Sequence, residues 1–505
     1  MGPRAEDNSP GFARALSLVG AGAGARAVST VMAAVAAFLT AALLVRLLGT
    51  SLYGALAFGM SIVGLAGALI LGFGVAISRT LAASLALGEL DAAQDVTRGA
   101  SAVAAVVGVV GFVIVLLAVI LTQNQLGQAQ ALVLGLGLGV LLAGRTAAFS
   151  AGAVARGFGR VVLMELPALA GVLFQLGAAV ILALMGMASA EAIGAAYCLV
   201  GLCVIFISLA TSSRVLSGVT EALRPGKAAA VNLLHTAAPF IVAGVAVKLI
   251  ASFDVFVLGI VHPGEQVGAY APTLTLIEGL AMLTPMLLMA LFVTAASQLV
   301  VSGDVDGFAR LYLVVSKVSL LIAMPAFLLI AAAPTRVLQA VFGDQFPASS
   351  SVTWVLLAGF FVNVALGVNA QALIASGERW RLARAFIWPI VAMVVTSLVL
   401  IPWFSALGAA TATTIAVVVL NASMSWTLYR ATGVHPFHRD MILVVVTSPF
   451  VVAGAIILDR AIGEDVWTAA VATLLAWCAW LVTLRLMGAF RFAELRGFVP
   501  TRYVA

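Results

Sequence analysis

Three ionisable side chains stand inside apolar, helix-length runs between Val245 and Val293: Lys248, Asp254 and Glu278. A charge in the middle of such a run is costly, and it faces protein or water rather than lipid. A short polar break, His262-Pro263-Gly264-Glu265-Gln266, divides the stretch, so the charges flank one turn and mark a helix pair that lines something polar. At a rise of 1.5 Å per residue, Lys248 lies about 18 Å from Ile260 and Glu278 about 15 Å from Gly268, at nearly one depth. The helix face around Lys248 carries Gly244 and Ser252, a small and partly polar strip suited to a cavity wall. Lys248 therefore either anchors an anionic ligand or bridges to Glu278. Asp254 and Glu278, the carboxylates deep in this half, are candidates to exchange a proton or sodium ion, or else they neutralise Lys248 or cap the outer turn.

Other polar groups inside apolar runs extend the set. Arg145 and Glu165 read as a structural bridge between neighbouring helices, or Arg145 contacts a ligand directly. Arg46, at a helix end, either snorkels to headgroups or lines the cavity. Asn363, Asn369, Gln371 and Asn421 either line the second half or hydrogen-bond between helices, and Lys317 is expected at the interface. No span or loop carries a metal-spaced His/Asp/Glu cluster, a phosphate-cradling glycine loop or a nucleophile motif. The four histidines fall at span ends or in loops. Catalytic residues, metal ligands and cofactors are therefore not expected, and an enzyme is rejected. The three cysteines sit inside apolar runs and suggest no disulfide framework.

The elements that position these groups follow from composition. Of 505 residues, 63% are hydrophobic and 9% charged, against roughly 25% charged in soluble domains. Apolar runs of about 20 residues recur throughout, so the chain reads as an all-α polytopic membrane protein. Fourteen transmembrane spans are expected: 27–45, 53–77, 100–121, 129–151, 162–185, 190–211, 236–260, 267–296, 312–333, 352–375, 384–404, 407–429, 441–458 and 466–487. With the N-terminus inside, 20 of the 26 basic residues fall in inner segments and three, Arg46, Arg336 and Arg460, at outer ends. That bias puts both termini in the cytoplasm. The net charge of +6 is spread over loops and is no nucleic-acid footprint.

The chain is also duplicated. Gly54 matches Gly268 at an offset of 214, and Gly88-Glu89-Leu90-Asp91 matches Gly303-Asp304-Val305-Asp306 at 215. Gly157 matches Gly377 at 220, and Ile193-Gly194-Ala195-Ala196 matches Leu407-Gly408-Ala409-Ala410 at 214. Six spans per unit is an even number, so the lobes are parallel repeats with a path at their interface near the midplane. The expected units are a cytoplasmic tail (1–26), an N-lobe (27–212), a linker (213–235), a C-lobe (236–430), spans 13 and 14 (441–487) and a C-terminal tail (488–505). Prolines 167, 239, 272, 285, 325, 389 and 449 lie inside spans and permit bends.

Phe253-Asp254-Val255-Phe256-Val257-Leu258-Gly259, the polar break and Val267-Gly268-Ala269-Tyr270 resemble the start of the second half of bacterial oligosaccharide flippases. Val341-Phe342-Gly343-Asp344 and, in the first half, Leu44-Val45-Arg46-Leu47-Leu48-Gly49 with Tyr53-Gly54 carry the same likeness. The chain thus resembles Wzx-type polysaccharide transporters of the multidrug/oligosaccharidyl-lipid/polysaccharide superfamily. The resemblance implies two six-helix lobes plus two extra C-terminal helices around a cavity. It also implies flipping of polyprenyl-diphosphate-linked oligosaccharide from the inner to the outer leaflet of the cell membrane. Lys248 would then meet the diphosphate, with Arg145, Arg46, Glu278, Asn363 and Asn369 as further cavity candidates. Expected partners are the lipid-linked glycan, membrane lipid, a polysaccharide polymerase and glycosyltransferases. A lipid II flippase and a multidrug/cation antiporter of the same superfamily are the alternatives. Against the antiporter, the first-half spans carry no carboxylate deep within them: Glu165 lies near the inner face and Glu191 at the start of its span.

Overall fold

The computed structural model describes residues 10–122, 126–216, 227–377, 379–435, 438–463 and 465–489. The described residues form sixteen helical segments: α1 (Pro10–Ala66), α2 (Ala68–Ala86), α3 (Leu90–Thr122), α4 (Gln128–Gly157), α5 (Val161–Met185), α6 (Ala190–Leu216), α7 (Lys227–Val261), α8 (Glu265–Val301), α9 (Val305–Ala332), α10 (Pro334–Phe342), α11 (Ser350–Leu366), α12 (Asn369–Ala375), α13 (Arg379–Ala385), α14 (Ile387–Thr432), α15 (Arg439–Ile462) and α16 (Val466–Leu486). Lipid leaves backbone groups no solvent partner, so the apolar runs satisfy themselves as helices.

Every expected span falls on this helical framework. Two segments hold more than one span, each interrupted by one residue of non-helical backbone: α1 at Gly49 (φ 69°) and α14 at Ser405 (φ 48°). Across Ser405 the chain doubles back, because a Cβ on Gly408 would stand 2.4 Å from the Leu400 carbonyl oxygen. Span 2 continues from α1 into α2 past Gly67, and span 10 is split into α11 and α12 at Gly367 (φ 73°). Six of the seven prolines leave the helix unbroken, while Pro389 follows the break at Phe386 between α13 and α14; the other interruptions lie at glycine and serine. The short helix α10 was not among the expected spans; it caps the outer end of α9, where "outer" denotes the end poor in basic residues.

The lobes repeat their packing as well as their sequence. In the first, Gly144 on α4 meets the Gly201 backbone on α6; in the second, Gly359 on α11 meets Thr414 on α14. Small residues let the backbones approach, which supplies the packing that apolar lipid cannot drive. The turns repeat too, with Gly88 (φ 76°) and Gly303 (φ 73°) in the left-handed region that glycine adopts readily. At the third match the register moves by two. Gly159 (φ 69°) holds the turn equivalent to Gly377 (φ 78°), while Gly157 is packed against Leu81.

Spans 13 and 14, helices α15 and α16, are fastened to α9 and α10 at both ends. On the inner side Lys317 is buried rather than interfacial: its Nζ donates to the Ala489 carbonyl at 3.1 Å and lies 3.7 Å from Asp440 Oδ2. On the outer side Arg336 pairs with the buried Asp459 and donates to the Asp465 carbonyl at 2.9 Å.

Candidate functional site

The repeat-related glycines meet each other. A Cβ on Gly54 would lie 2.0 Å from the Gly264 carbonyl oxygen, and one on Gly268 would lie 1.8 Å from that of Thr50. The lobes therefore close backbone to backbone on the outer side, at the motif the duplication preserves. Arg46 adds a second outer contact, donating from Nε to the Val341 carbonyl at 2.9 Å and from a terminal nitrogen to the Ala340 carbonyl. These are the free carbonyls at the end of α10, which favour a cation. Arg46 thus joins the lobes outside the cavity rather than lining it. Towards the inner side α7 packs on α2 and α3, with Ile241 against the cluster around Phe73 and Ile77.

Between these closures lies a cavity of about 290 Å³. Its walls come from α1, α4, α5 and α6 of the first lobe and from α7 and α8 of the second. Arg145 projects into it from the first lobe and Glu278 from the second; Tyr53, Tyr197, Gln175 and Ser252 supply further polar groups. Arg145 donates to Gln175 Oε1 at 3.2 Å, not to Glu165. Antiparallel geometry explains this: Arg145 lies twelve residues from the inner end of α4, about 18 Å deep, and the residue at that depth on α5 is near 173. Its side-chain partner is a neutral amide, and among the described residues no carboxylate is hydrogen-bonded to this guanidinium.

Lys248 is half-buried on α7, one turn from Ser252, within electrostatic reach of both Arg145 and Glu278. Among the described residues no hydrogen bond or ion pair joins Lys248 to Glu278. The expected alternative of a Lys248–Glu278 bridge is therefore not made in this conformation.

Asp254 is buried and fully bonded. Its Oδ2 accepts from the Tyr270 hydroxyl at 2.5 Å and from Thr413 Oγ1 at 2.6 Å, and its Oδ1 accepts from the Val255 N–H at 2.7 Å. A second cavity of about 140 Å³ inside the C-lobe is lined by Asp254, Glu278, Asn363 and Thr413. Glu278 thus belongs to the walls of both cavities. Asn363 accepts from Asn421 Nδ2 at 2.9 Å beside this space. Asn369 lines neither: its Oδ1 accepts from the Tyr312 hydroxyl at 2.5 Å and its Nδ2 donates to Ser425 Oγ at 3.0 Å. Tyr312 also reaches the Leu366 carbonyl at 2.8 Å, tying down the break in span 10.

Sequence reading missed Tyr270, Thr413, Gln175, Tyr53 and Tyr197. Each is uncharged, and only the fold brings Thr413 to Asp254 across 159 residues. Tyr53 and Tyr270 stand beside Gly54 and Gly268 in the repeated motif, and the other three offer only a hydroxyl or amide inside an apolar run.

Two parallel six-helix lobes with two added helices and a cavity at their interface are the fold that this chain shares with solved membrane transporters. The polysaccharide biosynthesis protein family matches residues 19–297, more than half of the chain, and the chain belongs to that family. No curated protein matches it. Among solved structures, the inward closed conformation of the lipid II flippase MurJ superposes with a TM-score of 0.66 at 12% identity, covering 91% of this chain and 98% of that one. An inward-facing multidrug resistance transporter of the MATE family gives 0.64 at 16% identity, covering 79% and 95%. A superfamily transporter from Pyrococcus furiosus, described as having a binding pocket of reversed polarity, gives 0.52 at 16% identity, covering 82% and 96%.

Proposed function

We propose that this protein flips a polyprenyl-diphosphate-linked oligosaccharide from the inner to the outer leaflet of the cell membrane by alternating access, for surface polysaccharide synthesis. The observation that carries the reading is Arg145, a cation on the wall of the interlobe cavity whose side-chain partner is a neutral amide. Moving a diphosphate into a low-dielectric lobe unpaired is prohibitive, and Arg145 with Lys248 nearby supplies the countercharge. At about 290 Å³ the cavity is at the small end of ligand sites and fits the polar head rather than a whole glycan in this conformation. An apolar cavity of about 450 Å³ between α9, α11 and α15, lined by Phe327, Trp354, Phe361 and Val452, suits a polyprenyl tail. The basic bias supports cytoplasmic termini, and a glycosyltransferase and a polymerase are the partners this role requires.

The shared position of Glu278 gives the cycle a coupling step. An anionic head beside Arg145 would be repelled by an ionised Glu278, and a proton or cation taken up in the Asp254–Glu278 cavity removes that repulsion. Depleting the protein should trap lipid-linked oligosaccharide on the inner leaflet and strip a surface glycan, and Arg145→Gln should not restore it. Intact surface glycan in depleted cells that become sensitive to cationic drugs would favour the antiporter instead.

A further inference from the structure

One face at the basic end takes no part in any of these three cavities. From Arg379 to Arg439 the chain carries five arginines, with Glu378 and Asp440 at the two edges of the stretch. Folding brings the two ends of this stretch together, because Ser423 Oγ on α14 donates to the Ala385 carbonyl at the end of α13 at 2.8 Å. Trp380 and Trp388 are each 67% exposed and Trp426 59%, so three large indoles face outward beside Arg384 and Arg430. They are organised: Arg430 stacks over Trp426 at 4.9 Å from the ring centre, and Trp426 contacts Tyr429 at 6.3 Å. Arg384 Nε donates to the Trp380 carbonyl at 3.4 Å.

We propose that this face, on α13 and the two ends of α14, binds the phosphate headgroup of an anionic phospholipid in the leaflet at the basic end. Indole rings sit at headgroup depth, and clustered arginines beside them attract anionic lipid. The stacked guanidinium at Arg430 is held in place before the lipid arrives, which lowers the ordering cost. A resident phospholipid fits better than transported substrate, because the interlobe cavity draws none of its lining from α13 or α14.

The test is native mass spectrometry of the full-length protein in detergent, titrated with phosphatidylglycerol or phosphatidylcholine. Wild type should retain phosphatidylglycerol preferentially. Arg381→Gln/Arg384→Gln/Arg430→Gln should weaken that binding roughly tenfold or more, since each basic residue near a charged membrane surface contributes about 1 kcal/mol. Trp426→Leu should weaken it a few-fold, and Arg98→Gln should leave it unchanged. If the triple variant does not fold, Trp426→Leu and Arg430→Gln alone decide the question. Equal retention of phosphatidylcholine, or undiminished phosphatidylglycerol binding in the variants, overturns the proposal. Selective loss of a polyprenyl diphosphate with phosphatidylglycerol retained would also overturn it and make the face a substrate doorstep.

Discussion

The two lobes share a frame and differ in what they place inside it. An offset of 214 sets Asp254 opposite Thr40, Glu278 opposite Gly64, Lys248 opposite Ala34 and Thr413 opposite Leu199. An offset of 215, which aligns Gly144 with Gly359, sets Arg145 opposite Phe360. The first lobe has a lone guanidinium on its cavity wall and small residues where the second keeps its carboxylates. Thr40 spends its hydroxyl on its own helix, donating to the Ala36 carbonyl at 2.7 Å, whereas Asp254 draws α7, α8 and α14 together. Duplication thus conserved what closes the lobes, the Gly54–Gly268 contact, and let the charges diverge. The interlobe cavity takes its guanidinium from one lobe and its carboxylate from the other, while the Asp254–Glu278 cavity lies within the C-lobe alone.

The largest effect is expected where the lobes are most alike. Gly268→Val puts a side chain where 1.8 Å separates an added Cβ from the Thr50 carbonyl, and backbone cannot yield as a side-chain tip does. Overpacking of this kind costs about 1–3 kcal/mol, so the outer-closed population should fall roughly ten- to hundredfold. Spin labels on the outer ends of the lobes should then read a longer separation, with transport lost. Unchanged distances would show that the glycine contact is incidental.

The asymmetric residues come next. Asp254→Asn keeps the size but leaves one acceptor fewer for the Tyr270 and Thr413 hydroxyls, while Asp254→Ala leaves both without it. A stranded buried hydroxyl costs about 1–3 kcal/mol, so the alanine variant should melt earlier and the asparagine variant should fold yet lose gradient-driven transport. Equal transport in wild type and Asp254→Asn would remove the C-lobe cavity from coupling. Exchanging the charges, with Lys248→Glu and Glu278→Lys together, should not recover activity, because no bond joins the pair in this conformation. Full activity in that double variant would mean that the lysine is scaffolding.

The reach of the sequence differs for these features. Spans were legible because lipid forces every apolar run of sufficient length into a helix, and Gly54 and Gly268 stood out as a matched pair. That they touch each other was hidden, since a repeat gives equivalence and not contact. Lys317 was misjudged because its burial depends on Ala489, which reaches it only after the last span has returned. Arg145 was expected to pair with the nearest carboxylate in sequence, Glu165, and equal depth across an antiparallel pair selected Gln175 instead. The break at Gly367 and the hydroxyls around Asp254 needed the fold, for a single Gly, Tyr or Thr in an apolar run looks like many others.

Arg46 separates the two kinds of contact between lobes. The glycine pair is steric and insensitive to ionic conditions; the Arg46 contact is a charge against the carbonyl end of α10, exposed to solvent. Such contacts are weakened by solvent and salt, which leaves them worth a few-fold rather than a hundredfold. Arg46→Gln should therefore shift the lobes toward outer opening by roughly a few-fold, and the shift should shrink as salt is raised. Arg46→Lys should recover only part of the closure, because a point charge cannot reach two carbonyls with the planar fork of a guanidinium. Cysteine labelling from outside at a buried position lining the interlobe cavity, such as Ala271, gives the readout: faster modification in Arg46→Gln than in wild type at low salt, converging at high salt. If the labelling rates agree at every salt concentration, outer closure rests on the glycines alone, and the lobes are held by what the repeat conserved rather than by what one half acquired.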